Sequence, residues 1–269
     1  QATALFNNLV NTDNLANGNN FTSDATGQIR ITSNKGVNVA GNIVNYATGG
    51  EYQDANSTNY SGILINSHNG STPEGDAITS GINVSGNIVN TKGLVEFNNN
   101  GGDLDISGNI KNNGTTHIYN QPLAQYGDAT KNENIAKNSG INITGKIDTK
   151  GNLRIENRGG KGLNISGTVN HEGDSFVQNG YSSVNDIMGY GKNNEKLDNT
   201  GALNIGGTFN TTGNAEFLNT EYGQDGLNVT GNVTTGGKAT YTNKGAAGLN
   251  VKQGGAIKSS QGLEMTNYG

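Results

Sequence analysis

Gly140-Ile141-Asn142-Ile143-Thr144-Gly145-Lys146-Ile147-Asp148-Thr149-Lys150-Gly151-Asn152-Leu153-Arg154-Ile155-Glu156-Asn157 is the stretch whose reading decides the fold. A Gly-hydrophobic-Asn-hydrophobic-x-Gly motif closes on Gly145, and twelve residues later stands Asn157. The register returns at Gly86, Gly108, Gly167, Gly207, Gly231 and Gly255, with Asn98, Asn120, Asn179, Asn219, Asn243 and Asn267 at the same offset. Successive glycines are 22, 37, 22, 40, 24 and 24 residues apart. A base period near 22 with residues added in some turns identifies a stacked-repeat protein. All the added length is expected between an asparagine and the next glycine, with the twelve-residue half constant.

The segments within the period read as strands. Gly81-Ile82-Asn83-Val84-Ser85-Gly86, Gly162-Leu163-Asn164-Ile165-Ser166-Gly167 and Gly226-Leu227-Asn228-Val229-Thr230-Gly231 alternate apolar and polar residues, as a strand with one buried face does. A second short strand is centred on Ile88, Ile110, Ile147, Val169, Phe209 and Val233, and a third runs from Gly151 to Asn157, Gly213 to Asn219 and Gly237 to Asn243. Three short strands per turn, each ended by Gly or Asn, predict an all-β, right-handed parallel β-helix. We expect about eight turns, the first built around Gly41, in a rod roughly 35–40 Å long at about 4.8 Å per turn. Gly and Asn adopt positive φ readily, which places them at the corners. The asparagines at offset twelve are expected to form a hydrogen-bonded corner ladder.

Residues 1–26 lack the motif and are expected to form an N-terminal cap or irregular rung, with Leu5, Phe6, Leu9 and Val10 covering the open end of the β-helix at 27–269. Composition agrees with a solenoid: 43 Gly, 47 Asn, two Pro, no Cys and no Trp, with only 31% hydrophobic residues. That hydrophobic share would leave an ordinary globular chain short of a core, but a narrow solenoid needs only two or three apolar residues per strand. The lack of cysteine excludes disulfides and thiolate metal sites. A net charge of −5, without a basic cluster beyond Lys192 to Lys196, argues against nucleic acid as partner. No apolar run of about 18 residues would insert this segment into a membrane. The start at Gln1 and the end at Gly269 within a repeat lead us to expect a piece of a longer protein.

Function on repeat scaffolds concentrates in insertions. Residues 67–80, 121–139 and 180–200 interrupt one corner on alternate turns, and 46–60 leaves by another. These loops hold most of the tyrosines, and aromatic rings beside amides and carboxylates suit glycan or protein contact. The candidate ligand-binding residues are Tyr52, Asp54, Tyr126, Asp128, Tyr181, Asp186 and Tyr190. No catalytic, metal or cofactor site is expected. His68, His117 and His171 share no metal or triad spacing, and His117 and His171 read as solvated. Asp103 with Asp105, and Glu96 with Glu156 near Arg154, place carboxylates on shared strand faces, an arrangement known from glycosidases. Without tryptophan or an Arg/Lys-rich groove, the solvated-face reading is preferred. Eleven Asn-x-Ser/Thr triplets occur, but those at Asn83, Asn142, Asn164 and Asn228 are by-products of the repeat.

Gly145 to Asn157 and Leu163-Asn164-Ile165-Ser166-Gly167, with the register they carry over 27–269, resemble filamentous-haemagglutinin-like and high-molecular-weight bacterial adhesins exported by two-partner secretion, and after them autotransporter passengers. The resemblance implies a virulence-associated, extracellular or cell-surface β-helix that displays adhesive surfaces. The Asn-Pro signature near the start of such exoproteins and an outer-membrane barrel are both missing from these residues. The expected function is non-enzymatic binding of a host or neighbouring-cell glycan or protein, with self-association of rods as a further contact. The alternatives are a structural stalk displaying a distal module and, third, a polysaccharide-degrading enzyme.

Overall fold

The computed structural model describes residues 4–7, 20–23, 28–33, 36–46, 49–67, 81–122, 138–181 and 201–269. Among them the chain forms strands and turns, and no helix is long and apolar enough to cross a membrane. The strands build three sheets, each visited by every third strand. Gly140–Ile143 lies in the first sheet, Lys146–Lys150 in the second and Leu153–Asn157 in the third; Gly162–Ile165 then returns beside Gly140–Ile143 in parallel register. This is a parallel β-helical fold, because each strand is short enough for the chain to turn a corner and stack on itself. Among the described residues only two strand pairings are antiparallel: Ala4–Asn7 on Asn42–Asn45, and Asn20–Ser23 on Gln28–Ser33. Leu5 and Phe6 thus sit in an edge-covering strand rather than the expected apolar turn, which satisfies backbone groups that a turn would leave open. Leu9 and Val10 lie outside the described residues.

The period-2 alternation builds the core. Ile88, Ile110, Ile147, Val169, Phe209 and Val233 stand in register down the second sheet, each at most 1% exposed. Burying an aliphatic side chain of this size stabilises by about 1.5–3 kcal/mol. On the third sheet Phe97, Ile118, Ile155, Val177, Phe217 and Tyr241 form another such column. The rings of Phe217 and Tyr241 are matched by small residues two positions earlier, Ala215 and Ala239, which offsets their volume in the cross-section. Tyr241 is fully buried and stacks on Phe217 with centroids 4.8 Å apart, but its hydroxyl meets no hydrogen-bond partner among the described residues. Tyr241→Phe is therefore expected to stabilise by about 1 kcal/mol, the desolvation cost of an unpaired hydroxyl, read as a rise in the denaturation midpoint. In the last strand Leu263 and Met265, in register with Ala239 and Tyr241, are 46% and 40% exposed.

The asparagine ladder exists, with one member different from the expectation. Asn120, Asn157, Asn179, Asn219 and Asn243 are fully buried, and each side-chain NH2 donates to the Oδ1 of the next, at 2.8–3.0 Å, ending on Asn267. The residue below Asn120 is Asn99, not Asn98. Asn98 faces outward and donates to Glu96 and Asn66. The offset from Gly86 is thus thirteen, because the corner Thr91–Gly93 holds one residue more than its successor between Asn112 and Thr115. The corner before Gly255 is also longer, since Val251 and Ala256 pair with Val229 and Asn232. The added residues fall between strands, so the pairing of the flanking strands is kept.

Positive φ does not explain these columns either. Asn59 is the only described non-glycine with positive φ, so the ladder asparagines are placed by buried hydrogen bonding and not by backbone freedom. The motif-closing glycines also lack positive φ. Their reason is contact: a Cβ on Gly108, Gly145, Gly167, Gly207 or Gly231 would strike the carbonyl oxygen of the corresponding glycine one turn earlier.

Candidate functional site

The third sheet is the one with insertions at both of its corners. Residues 46–60 lead into it from Asn42–Asn45, while 67–80, 121–139 and 180–200 leave it after Gly62–Ser67, Thr115–Asn120 and Ser175–Asn179. On its outer face a trough of about 680 Å³ runs across five successive strands. Two columns make it. His117, Arg154, Phe176, Glu216 and Thr240 are in register along the floor. Asn152, Asp174, Asn214 and Lys238, each just ahead of its strand, form one wall. The wall is knitted by backbone N–H groups of Asn214 and Lys238 donating to Asp174 and Asn214 at 2.8 and 2.9 Å.

Tyr52 closes the end of the trough. Its half-buried ring meets those of Tyr60 and His117 edge-on, at 5.0 and 5.6 Å. Tyr119 stacks on His117 at 5.1 Å, and the Arg154 guanidinium lies 4.4 Å from the Phe176 ring centroid. Burial, and after it the Glu96 charge, pushes the hydroxyls of Tyr52 and Tyr60 above the usual tyrosine range. Tyr119 is pushed up too, by burial first and then by Glu156. All three remain neutral donors at physiological pH.

The carboxylates of this face are engaged. Glu96 and Glu156 do share it, as their spacing anticipates, but in adjacent columns. Glu96 accepts from His117 Nδ1 at 2.9 Å and from Asn98 at 2.6 Å. Burial would raise its affinity for a proton, but these bonds and the His117 charge outweigh it and hold Glu96 below the ordinary range. Glu156 pairs with Arg154 at 3.3 Å and Arg158 at 3.4 Å. Glu96, held ionised, is not poised to give up a proton as a general acid would. Among the described residues no three His, Asp or Glu side chains converge as metal ligands.

Of the candidate residues, Tyr52 and Asp54 border the trough. Asp54 Oδ1 accepts from Asn56 N–H at 2.9 Å, closing the turn that carries Tyr52. Tyr181 is only 2% exposed and packs edge-on against Tyr222, so its ring is a corner filler rather than a displayed contact. Tyr126, Asp128, Asp186 and Tyr190 lie outside the described residues. His117, Arg154, Phe176 and Glu216 were missed, although each stands nine residues after a motif glycine and could have been found by following that column.

The two strand histidines are not solvated. His117 is 8% exposed and bonded to Glu96; His171 is 2% exposed. His171 points into the corner column of Asn112, Thr149 and Thr211, its Nε2–H donating to the Gly151 carbonyl at 2.6 Å and its Nδ1 accepting from Ser175. Burial holds it neutral by lowering its pKa.

On the first sheet, Asn142, Asn164, Asn204, Asn228 and Asn250 form an outer amide ladder, each donating to the residue one turn earlier. Asp105 interrupts it. It accepts from Asn142 at 2.8 Å, and Asn83, beside it in register, turns its own NH2 toward Asn38. Burial, then repulsion from Asp103, raises the Asp105 pKa despite the Asn142 bond and Lys161. With the folded pKa above the unfolded one, stability is greatest where Asp105 is protonated and falls as pH rises from about 3.9 through the folded value. Asp105→Asn is expected to be more stable than the parent at pH 7 and to lose that part of the pH dependence, measured by urea denaturation between pH 3 and 7.

No protein-family model matches the chain, and comparison with curated proteins and with solved structures finds no significant match.

Proposed function

We propose that this chain is a binding segment of an exported bacterial surface rod: a right-handed β-helix of about eight turns that adheres, without catalysis, to a glycan or protein on a host or neighbouring cell. One observation carries the reading: all four insertions border the third sheet, which also bears the aromatic and charged trough. The other corner, between first and second sheets, is a tight turn in nearly every rung. Insertions gathered at the two corners of one sheet are the kind of elaboration that partner recognition uses. The pairing of Glu96 and Glu156 speaks for binding rather than acid–base chemistry. A plain stalk is the second reading, favoured by the unbroken column of buried corner asparagines from Asn99 to Asn267.

Labelled chain is expected to bind epithelial or bacterial cells. A variant with 121–139 and 180–200 replaced by short turns, and a second with Tyr52→Ala, test which border of the sheet is used. Loss of binding in either supports the adhesive reading. Absence of binding by the parent chain would leave the stalk.

A further inference from the structure

Resting on that adhesive reading, we propose that the third-sheet trough binds a neutral oligosaccharide of about four units, extended along the rod axis. Its length follows from the register. The floor column crosses five strands, so four spacings of about 4.8 Å give roughly 19 Å along the rod. Each step is about the length of one pyranose in an extended chain. A single small molecule would use a fraction of this site, whereas a polymer meets a similar set of groups at every step.

The chemistry of the lining selects the class. Donors and acceptors are interspersed along the trough: Asn152 and Arg154, then Asp174, then Asn214 and Glu216, then Lys238. Sugar hydroxyls are both donors and acceptors and match either kind. Phe176 on the floor and Tyr52 at the end supply apolar surface for the C–H faces of sugar rings. A peptide strand gains less here. The backbone groups of the five strands are already paired with their neighbours along the sheet, so no edge is open for strand addition. Polyanions are disfavoured by charge. Asp54, Asp174 and Glu216 face the trough against Arg154 and Lys238, and these cations are themselves paired with Glu156 and Glu264 at 3.3 Å.

The test is calorimetric titration of the whole chain with neutral oligosaccharides of two to six units, beside heparin as the polyanion. Affinity is expected to rise with length and level off at four to five units. Phe176→Ala and Glu216→Ala should each weaken binding tenfold or more; the exposed Glu216 leaves the melting temperature unchanged, and the half-buried Phe176, under the Arg154 guanidinium, lowers it by a few degrees with the chain still folded. A plateau at one unit, unaltered affinity in both variants, or tighter binding of heparin with steep salt dependence would overturn the assignment. Cell binding by the parent chain that no neutral oligosaccharide competes would also overturn it, while leaving the adhesive reading standing with a protein partner. Absence of cell binding would remove the adhesive reading itself.

Discussion

Asn157→Ala is expected to lower stability by about 4 kcal/mol, among the largest effects of any single side-chain truncation in the rod. Asn157 is fully buried and makes four hydrogen bonds. Its NH2 donates to Asn179 and to the Gly159 carbonyl; its Oδ1 accepts from Asn120 and from Gly159 N–H. Alanine removes these bonds and leaves the partners inside a corner that water cannot enter. Each buried polar group so stranded costs about 1–3 kcal/mol, and relaxation of the corner keeps the sum near the lower end. Urea denaturation gives the size of the loss, and hydrogen exchange locates it, because opening should concentrate in the strands carrying Asn120, Asn157 and Asn179. Asn157→Ser should lose less, since Ser67 already stands in this column and bonds to Asn99. Asn98→Ala is the control that separates the two ladder assignments. Its side chain lies on the outer face, so the expected cost is under about 1 kcal/mol. A loss as large as that of Asn157→Ala would restore Asn98 to the ladder.

Gly145→Ala is expected to destabilise by about 3 kcal/mol or more, through steric overlap alone. The new methyl would overlap the Gly108 carbonyl oxygen and come within 2.7 Å of the Ser107 carbonyl carbon. That backbone cannot retreat, because Ser107 and Gly108 N–H both donate to the Val84 carbonyl at 2.8 and 3.0 Å. Gly206→Ala tests the mechanism within the same kind of corner. There the nearest atom is Thr230 Oγ1 at 3.3 Å, the end of a rotatable side chain, and the expected loss is about 1 kcal/mol or less. Equal losses at the two positions would show that backbone freedom, and not stacking contact, governs both.

The reading of the corners shows where sequence pattern carries information and where it stops. Apolar alternation in Ile141-Asn142-Ile143 named the buried face correctly, because in a strand the side-chain direction follows from parity alone. The count of twelve failed at Gly86, because Asn98, Asn99 and Asn100 are consecutive and any of them satisfies a string of letters. Only pairing with Asn120 selects Asn99. The histidines went astray for a related reason. His171 occupies a position filled by Asn112, Thr149 and Thr211 in other turns, and its burial becomes visible only when those turns are aligned in space. The trough was half legible. Tyr52 and Asp54 drew notice as insertion residues, whereas Arg154, Phe176 and Glu216 looked like an ordinary polar strand face until the register brought them together.

By itself the sequence determined that this is a stacked-strand rod, which segments of the repeat are strands, which apolar side chains are buried in them and which corners carry insertions. Those properties follow from short-range periodicity: parity along a strand and the recurrence of residues that must stack on themselves. Only the tertiary structure decided the column of each asparagine and histidine, the covering of the first turn by antiparallel strands, and the meeting of Tyr52 with His117 across 65 residues of chain. These depend on which rung lies against which. A single residue added at a corner such as Thr91–Gly93 shifts the numbering of everything after it, while hydrogen bonding across the sheets holds the columns in place.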